Sequence, residues 1–248
     1  MKAIFITVRT GSTRLPRKAL LKIREHSTIE HLIKRVKKSE LADLVILCTT
    51  NLPEDNILCE LAKKHGVKYY RGSVQDKLER WNGAAKKYNV DFFVTADGDD
   101  IFCEPELIDL AFRQYENNRS DFIEAKNVIC GSFTYGISAN ALQKVCEFKD
   151  TENTEMMWVY FTDTGMFNIE QLENVPEQFI RKDIRMTLDY KDDLVFFTKV
   201  FESFDTDNFS LRDIVSLIDD NPYIKEINFY LEEEWKQNQI SKTSLKLK

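Results

Sequence analysis

A short apolar run followed by a helical repeat, then the same alternation again, is the feature that most constrains this chain. Lys2 to Val8 is β-branched and aromatic enough for a buried strand, and Thr28 to Ser39 then carries Ile29, Leu32, Ile33 and Val36 at helical spacing. Asp43 to Thr50 is a second continuous apolar strand, stopped by Asn51 and Pro53. Glu54 to His65 repeats Ile57, Leu58, Leu61 and Ala62 on one helix face before Gly66 ends it. Val67 to Tyr70 predicts a third strand, and Ser73 is placed to cap a helix over Val74 to Tyr88 with Leu78, Trp81, Ala84 and Ala85 inward. Asp91 to Ala96 predicts a fourth strand, and Pro105 opens a helix with Leu107, Ile108, Ala111 and Phe112 as its stripe. Helices between successive strands imply an α/β fold, a mostly parallel sheet covered on both faces.

The second half is less regular. Phe122 to Ala125 and Phe133 to Ile137 predict strands, Ser138 to Phe148 and Thr154 to Phe161 helices, and Arg185 to Tyr190 a strand feeding a helix over Lys191 to Phe204. Ser210 to Ile218 is expected to be helical, with Asn221-Pro222 ending it. Length and composition suit one principal domain over residues 1–235, with a polar, fraying tail at 236–248.

Charge and cysteine usage exclude several classes. A formal net charge of -6 argues against general affinity for nucleic acid or an anionic membrane, so a cationic cluster here must be local and aimed at a small ligand. No apolar run approaches the ~20 residues of a membrane span, and residues 1–6 lack the pattern of a secretion signal, so a cytoplasmic protein is expected. Cys48, Cys59, Cys103, Cys130 and Cys146 contain no C-x-x-C pair and are expected as small buried hydrophobes. His26, His31 and His65 have no partner spacing, which argues against a histidine metal site or nucleophile relay.

The loop after the first strand, Arg9 to Lys18, supplies Gly11 for backbone approach, Ser12 and Thr13 as donors, and Arg9, Arg14, Arg17 and Lys18 as charges. It is not a Walker motif: Arg17 stands where the second glycine belongs and Ala19 where a hydroxyl belongs. No G-x-G-x-x-G occurs either. Charge-assisted hydrogen bonds are each worth roughly 1.5 to 3 kcal/mol, so two or three directed inward suffice to hold a triphosphate. Arg9, immediately after a buried strand, is the favoured functional cation; Arg17 and Lys22 read as surface charges. Asp97-Gly98-Asp99-Asp100 closes the fourth strand, and Leu188-Asp189-Tyr190 offers a second acidic strand end. Ligands of such sheets sit at the carboxyl ends of the strands, where both acidic segments and the basic loop fall, and that set fits Mg²⁺ bridging phosphates.

Four motifs carry a resemblance. Arg9 to Lys18 is similar to the R-x-x-S-x-R-L-P-G-K signature of the cytidylyltransferases that make CMP-linked acidic sugars, the CMP-Kdo and CMP-sialic acid synthetases. Arg71 to Arg80 resembles R-G-S-x-x-D-V-L-x-R, Val94 to Asp99 a strand ending in G-D, and Thr187 to Leu194 T-L-D-Y-P-E-D-L, all of the SpsF-like branch named after a spore-coat polysaccharide protein.

The resemblance implies a three-layer Rossmann-like nucleotide-diphospho-sugar transferase fold, GT-A-like, that moves CMP from CTP to a small anionic acceptor with loss of pyrophosphate, for surface polysaccharide or glycoconjugate synthesis. By motif position, Arg9 and Lys18 would neutralise the triphosphate and act as catalytic cations; Ser12 and Arg14 would shape the loop with Gly11. Asp99 and Asp189 would hold Mg²⁺. The cytidine would lie near Arg71, Ser73 and Arg80, beside Val8 at the first strand end and Asp97 at the fourth. Arg185 before T-L-D-Y is the leading acceptor cation, then Arg181 and Lys126, the last more in keeping with a surface charge. The acceptor and dimerisation subregion would fall at about 120–185, where Glu152 to Phe161, with Met156-Met157-Trp158 in place of H-V-T, suits an interface, a lid or core. A homodimer is in keeping with relatives of this fold. A phosphonate or other non-sugar acceptor, a glycosyltransferase on the same fold, and a non-catalytic nucleotide-binding protein are the alternatives.

Overall fold

The computed structural model describes residues 1–154, 156–241, 243 and 245–248. The chain folds as β1 (Lys2–Thr7), a small hairpin of β2 (Lys22–Ile23) and β3 (His26–Ser27), α1 (Thr28–Val36), β4 (Leu44–Thr50), α2 (Asn56–Lys64), β5 (Lys68–Gly72), α3 (Lys77–Tyr88), β6 (Phe92–Asp97) and α4 (Pro105–Asn118). Then come β7 (Phe122–Glu124), β8 (Tyr135–Ser138), α5 (Ala139–Phe148), α6 (Val159–Thr162), β9 (Ile169–Gln171), α7 (Lys191–Glu202), α8 (Leu211–Asp220), α9 (Tyr223–Glu226) and α10 (Glu232–Ser241).

The main sheet has the order β5-β4-β1-β6-β8-β7-β9. β5, β4, β1 and β6 run parallel; β8 is antiparallel to both β6 and β7, and β9 parallels β7. The chain leaves β1 in one direction for β4 and β5 and returns to its other side with β6. The crevice between the ends of β1 and β6 is therefore the point where strand order reverses, the usual ligand position in such a sheet.

Strand periodicity explains the two cores. Ala3 and Phe5 of β1 pack on one face with Ile46, Trp81 and Phe93, while Ile4 and Ile6 pack on the other with Ile29, Leu32 and Ile108. The Phe5 and Phe93 rings stack with centroids 4.2 Å apart. Both faces are apolar because helices cover both, which is why these strands read as continuous runs rather than alternating ones.

Three expectations are corrected by side-chain hydrogen bonding. Ser73 does not cap α3: its Oγ accepts from the Asp76 amide at 3.1 Å, and Asp76 is the cap, Oδ1 accepting from Glu79 N at 3.0 Å. Over Thr154 to Phe161 the helix is confined to α6, among the described residues, because Thr154 is held by Asp76 Oδ1 and Leu78 N; Glu155 lies outside the described residues. Met157, Tyr160 and Phe161 are buried in the second core, and Met156, Met157 and Trp158 border the cleft described below.

Arg185 to Tyr190 is an extended segment with one bridge, Cys130 to Arg185, and not a strand of the sheet. The helix α10 runs past the expected start of a polar tail at residue 236 and ends at Ser241; Lys242 and Ser244 of that tail lie outside the described residues. Among the described residues the cysteines are unpaired, three of them buried, and no helix is long and apolar enough to cross a membrane.

Candidate active site

A cleft of about 820 Å³ opens at the carboxyl ends of β1 and β6. Val8, Arg9, Gly11, Ser12, Arg14, Lys18, Arg80, Asp97, Asp99 and Asp189 all line it, although they come from segments up to 181 residues apart (189 − 8). The tertiary structure achieves this with a few backbone contacts.

Gly98 is the first. Its amide donates to Thr7 O at 2.8 Å, folding the acidic turn across the end of β1. A Cβ there would stand 2.7 Å from Val8 Cβ and Cγ2, so only glycine lets the turn approach this closely. Leu188 N then donates to Asp99 O at 2.9 Å, and Met186 N to Cys130 O at 2.9 Å, laying the second acidic segment beside the first.

Two buried carboxylates hold the loops. Asp55, 1% exposed, accepts from Thr10 N at 2.8 Å and Thr10 Oγ1 at 2.7 Å, and from Thr50. This fixes where the basic loop leaves Arg9. Asp193 accepts from the amides of Asp189 and Tyr190, both at 2.8 Å, and from Asn228 Nδ2 at 2.9 Å. Neither anchor stood out in the sequence, since a lone Asp near a helix start looks like a cap.

At the centre, Lys18 Nζ lies 2.6 Å from Asp99 Oδ2 and 2.7 Å from Asp189 Oδ1, and Arg14 Nη2 lies 2.8 Å from the same Asp189 oxygen. Burial pulls the Lys18 pKa down, but Asp99 and Asp189 outweigh it and raise it above the ordinary value, so Lys18 is a cation at neutral pH. Burial pushes the Asp99 carboxyl up, and Lys18 outweighs that and holds it below the usual range. The adjacent Asp100 goes the other way, driven well above its usual value by burial and by Asp99 and Asp97. Of this adjacent pair, Asp99 is thus the one held as a carboxylate against Lys18.

The residues fit a divalent cation. Asp189 Oδ2 is buried with no hydrogen-bond partner, an orphaned acceptor on the carboxylate whose other oxygen shares Lys18 Nζ with Asp99 Oδ2. Among the described residues no group of three or more His, Cys, Asp and Glu side chains converges. Two carboxylates with water and ligand oxygens is the donor set that Mg²⁺ commonly takes in nucleotide sites.

Other expected residues are placed elsewhere. Arg71 does not line the cleft: its guanidinium ties down the chain after β4 through Thr50 O (2.9 Å), Leu52 O (2.7 Å) and Asn56 Oδ1 (2.6 Å). Ser73 is engaged in its turn. Arg80 does line the cleft and donates to Ser73 O at 2.5 Å, its Nε buried without a partner. Arg185 is corrected as an acceptor residue: it is 0% exposed, paired with Asp193 and Glu232. Arg181 pairs with Asp183 and Asp219 and also lies outside the cleft lining. Lys126, expected as a surface charge, does line the cleft.

Lys77 is a cation that sequence reasoning missed. It stands where the R-G-S-x-x-D-V-L-x-R pattern has valine, lies 3.0 Å from Asp97 Oδ1, and sits over the Trp81 ring at 4.9 Å. The backbone accounts for Arg17: its φ of 53° is left-handed, which suits the glycine usual at this point of the signature, and the exposed Arg17 side chain lies outside the cleft lining.

Comparison with known proteins places these features in context. The cytidylyltransferase family model matches residues 3–194. An uncharacterized protein of Methanocaldococcus jannaschii is 36% identical over 231 residues, covering 92% of this chain and 95% of that protein. The spore coat polysaccharide biosynthesis protein SpsF of Bacillus subtilis is 25% identical over 225 residues, covering 88% and 93%. Among solved structures, a cytidylyltransferase from Leptospira borgpetersenii superposes with a TM-score of 0.82 at 27% identity, covering 90% of this chain and 96% of that one.

Proposed function

Starting from the chain's membership of the cytidylyltransferase family, we propose that the cleft transfers CMP from CTP to a small anionic acceptor and releases pyrophosphate. The observation that carries this reading is the meeting of Lys18 and Arg14 with Asp99 and Asp189 at the strand-order reversal. Cations alone would suit any anion; cations interleaved with two converging carboxylates suit a metal-bound polyphosphate.

Lys18 and Arg14 would bind phosphate oxygens, with Arg9 at the mouth of β1 and Arg80 beside it. Asp99 and Asp189 would hold Mg²⁺, which when bound supplies charge neutralisation on the phosphates. An oxygen of the acceptor forms a bond to the α-phosphorus, the bond from that phosphorus to the bridging oxygen breaks, and the electron pair leaves with pyrophosphate. Because little covalent chemistry falls to the protein, these fixed charges lower the barrier by orientation and by stabilising negative charge as it develops. The burial of Asp55 and Asp193 keeps the loops from reorganising during that step.

The identity of the spore-coat relative favours an acceptor destined for a surface polysaccharide or glycoconjugate. The test is Mg²⁺-dependent thermal stabilisation by CTP against UTP, GTP and ATP, followed by a pyrophosphate-release screen with acidic sugars, sugar phosphates and phosphonates. A shift selective for CTP and abolished by chelation is expected; no nucleotide shift at all would sink the reading.

A further inference from the structure

Beyond the basic loop and α3, the cleft changes character. Phe133, Met157, Trp158 and Ile240 make this part apolar, and the cations lining it are Lys126 and Lys236. Each of these lysines is exposed and held by a carboxylate of its own segment, Lys126 by Glu124 at 2.7 Å and Lys236 by Glu232 at 3.3 Å. Both ammonium groups are more than half exposed although their carboxylate partners are not, so solvent screening weakens the pairs and leaves either lysine able to turn to a ligand.

The helix α10, which carries Trp235, Lys236 and Ile240 into the cleft, is fixed to the same foundation as Asp189. Arg185 Nη1 lies 3.1 Å from Glu232 at its start, the Arg185 guanidinium lies under the Trp235 ring at 5.1 Å, and Asn238 Nδ2 donates to Tyr190 Oη at 3.2 Å. The other partner of Arg185 is Asp193, which holds the Asp189 backbone. This wall is therefore in fixed register with Asp189, the carboxylate that would hold the metal. It also lies beyond residue 194, where the match to the family model ends.

We propose that α10 is the acceptor-facing wall of the cleft: Lys236, with Lys126, binds the acceptor's anionic group, and the Trp235 ring packs on a C–H-rich face, the combination presented by a carboxylated or phosphorylated sugar. This rests on the CMP-transfer reading. Arg185, expected to bind the acceptor, acts through Trp235 as a buried positioning residue.

The full-length chain, with CDP and Mg²⁺ present, is titrated calorimetrically with glucuronate, glucose 1-phosphate and uncharged glucose. At least one anion is expected to bind more tightly than glucose, and Lys236→Ala and Lys126→Ala each to weaken it about tenfold, the scale of one charge-assisted contact. Trp235→Phe, which keeps a ring, is expected to retain more affinity than Trp235→Leu, and none of the four variants to alter the CTP-induced thermal shift. Anions binding no better than glucose, or binding to Lys236→Ala unchanged, overturns the proposal. Selective anion binding in a protein that shows no CTP shift would remove the CMP-transfer reading and leave this wall standing.

Discussion

The Arg185 guanidinium clasps the Asp193 carboxylate with both arms, Nε to Oδ1 at 3.0 Å and Nη2 to Oδ2 at 3.2 Å, and neither side chain is exposed. The same Asp193 Oδ2 receives the amides of Asp189 and Tyr190. A buried ion pair thus sets the backbone that presents a carboxylate to the cleft, and because it is fully enclosed, removing one partner leaves an uncompensated charge.

Asp193→Asn should accordingly cost about 3–5 kcal/mol of stability, read as a lower urea midpoint. Turnover should fall in the protein that remains folded, since Asp189 loses its anchor. Unchanged pyrophosphate release per folded molecule would separate Asp193 from the site.

Asp99→Asn tests the carboxylate directly. An amide still accepts from Lys18, so the thermal midpoint should stay near that of the parent. At ~1.4 kcal/mol per factor of ten, losing 3 to 4 kcal/mol of charge stabilisation lowers kcat by about 10² to 10³. Near-normal turnover would take Asp99 out of the metal site.

Gly98→Ala adds a methyl 2.7 Å from Val8, between the two strand ends that frame the crevice. Overpacking of this kind costs about 1–3 kcal/mol, and the displacement of Asp99 should depress turnover beyond that loss of stability. Thermal melts paired with pyrophosphate assays give both numbers.

Arg17→Gly should do the reverse. Relieving a left-handed φ of 53° at an exposed, non-glycine residue is expected to raise stability by up to about 1 kcal/mol, partly offset by the greater freedom of glycine in the unfolded chain. Kinetic constants should not change, because the Arg17 side chain takes no part in the cleft.

Stability should fall in acid with a contribution from Glu30. Burial pushes this carboxyl up, but hydrogen bonds from Lys64, His65 and Ser27 outweigh that and hold it well below the usual carboxylate range. A folded pKa depressed below the unfolded value of about 4.3 stabilises the protein above that pH, and the contribution is lost as pH falls through the lower folded value. Glu30→Gln should therefore flatten the pH dependence of the urea midpoint below about pH 4.3, with least effect at the acid end.

The sequence alone determined the parallel layout of the first half and the chemistry of its strand ends. Lys2–Thr7, Leu44–Thr50 and Phe92–Asp97 are buried on both faces, so their apolar runs are unmistakable locally, and the loops they feed had to meet at one edge of the sheet. That is enough to bring Arg9, Lys18 and Asp99 together. What only the tertiary structure decided is the direction in which each polar side chain is used. Arg185 and Arg71 looked like ligand-binding cations and are spent on buried carboxylates and carbonyls, while Lys77, Lys126 and the helix from Glu232 to Ser241 turn into the cleft. Local patterns report whether a residue is apolar and at what period, but a charge carries no mark of its partner; that partner is set by long-range contacts such as Leu188 to Asp99 and Asp193 to Asp189, which exist only once the sheet has brought those segments together.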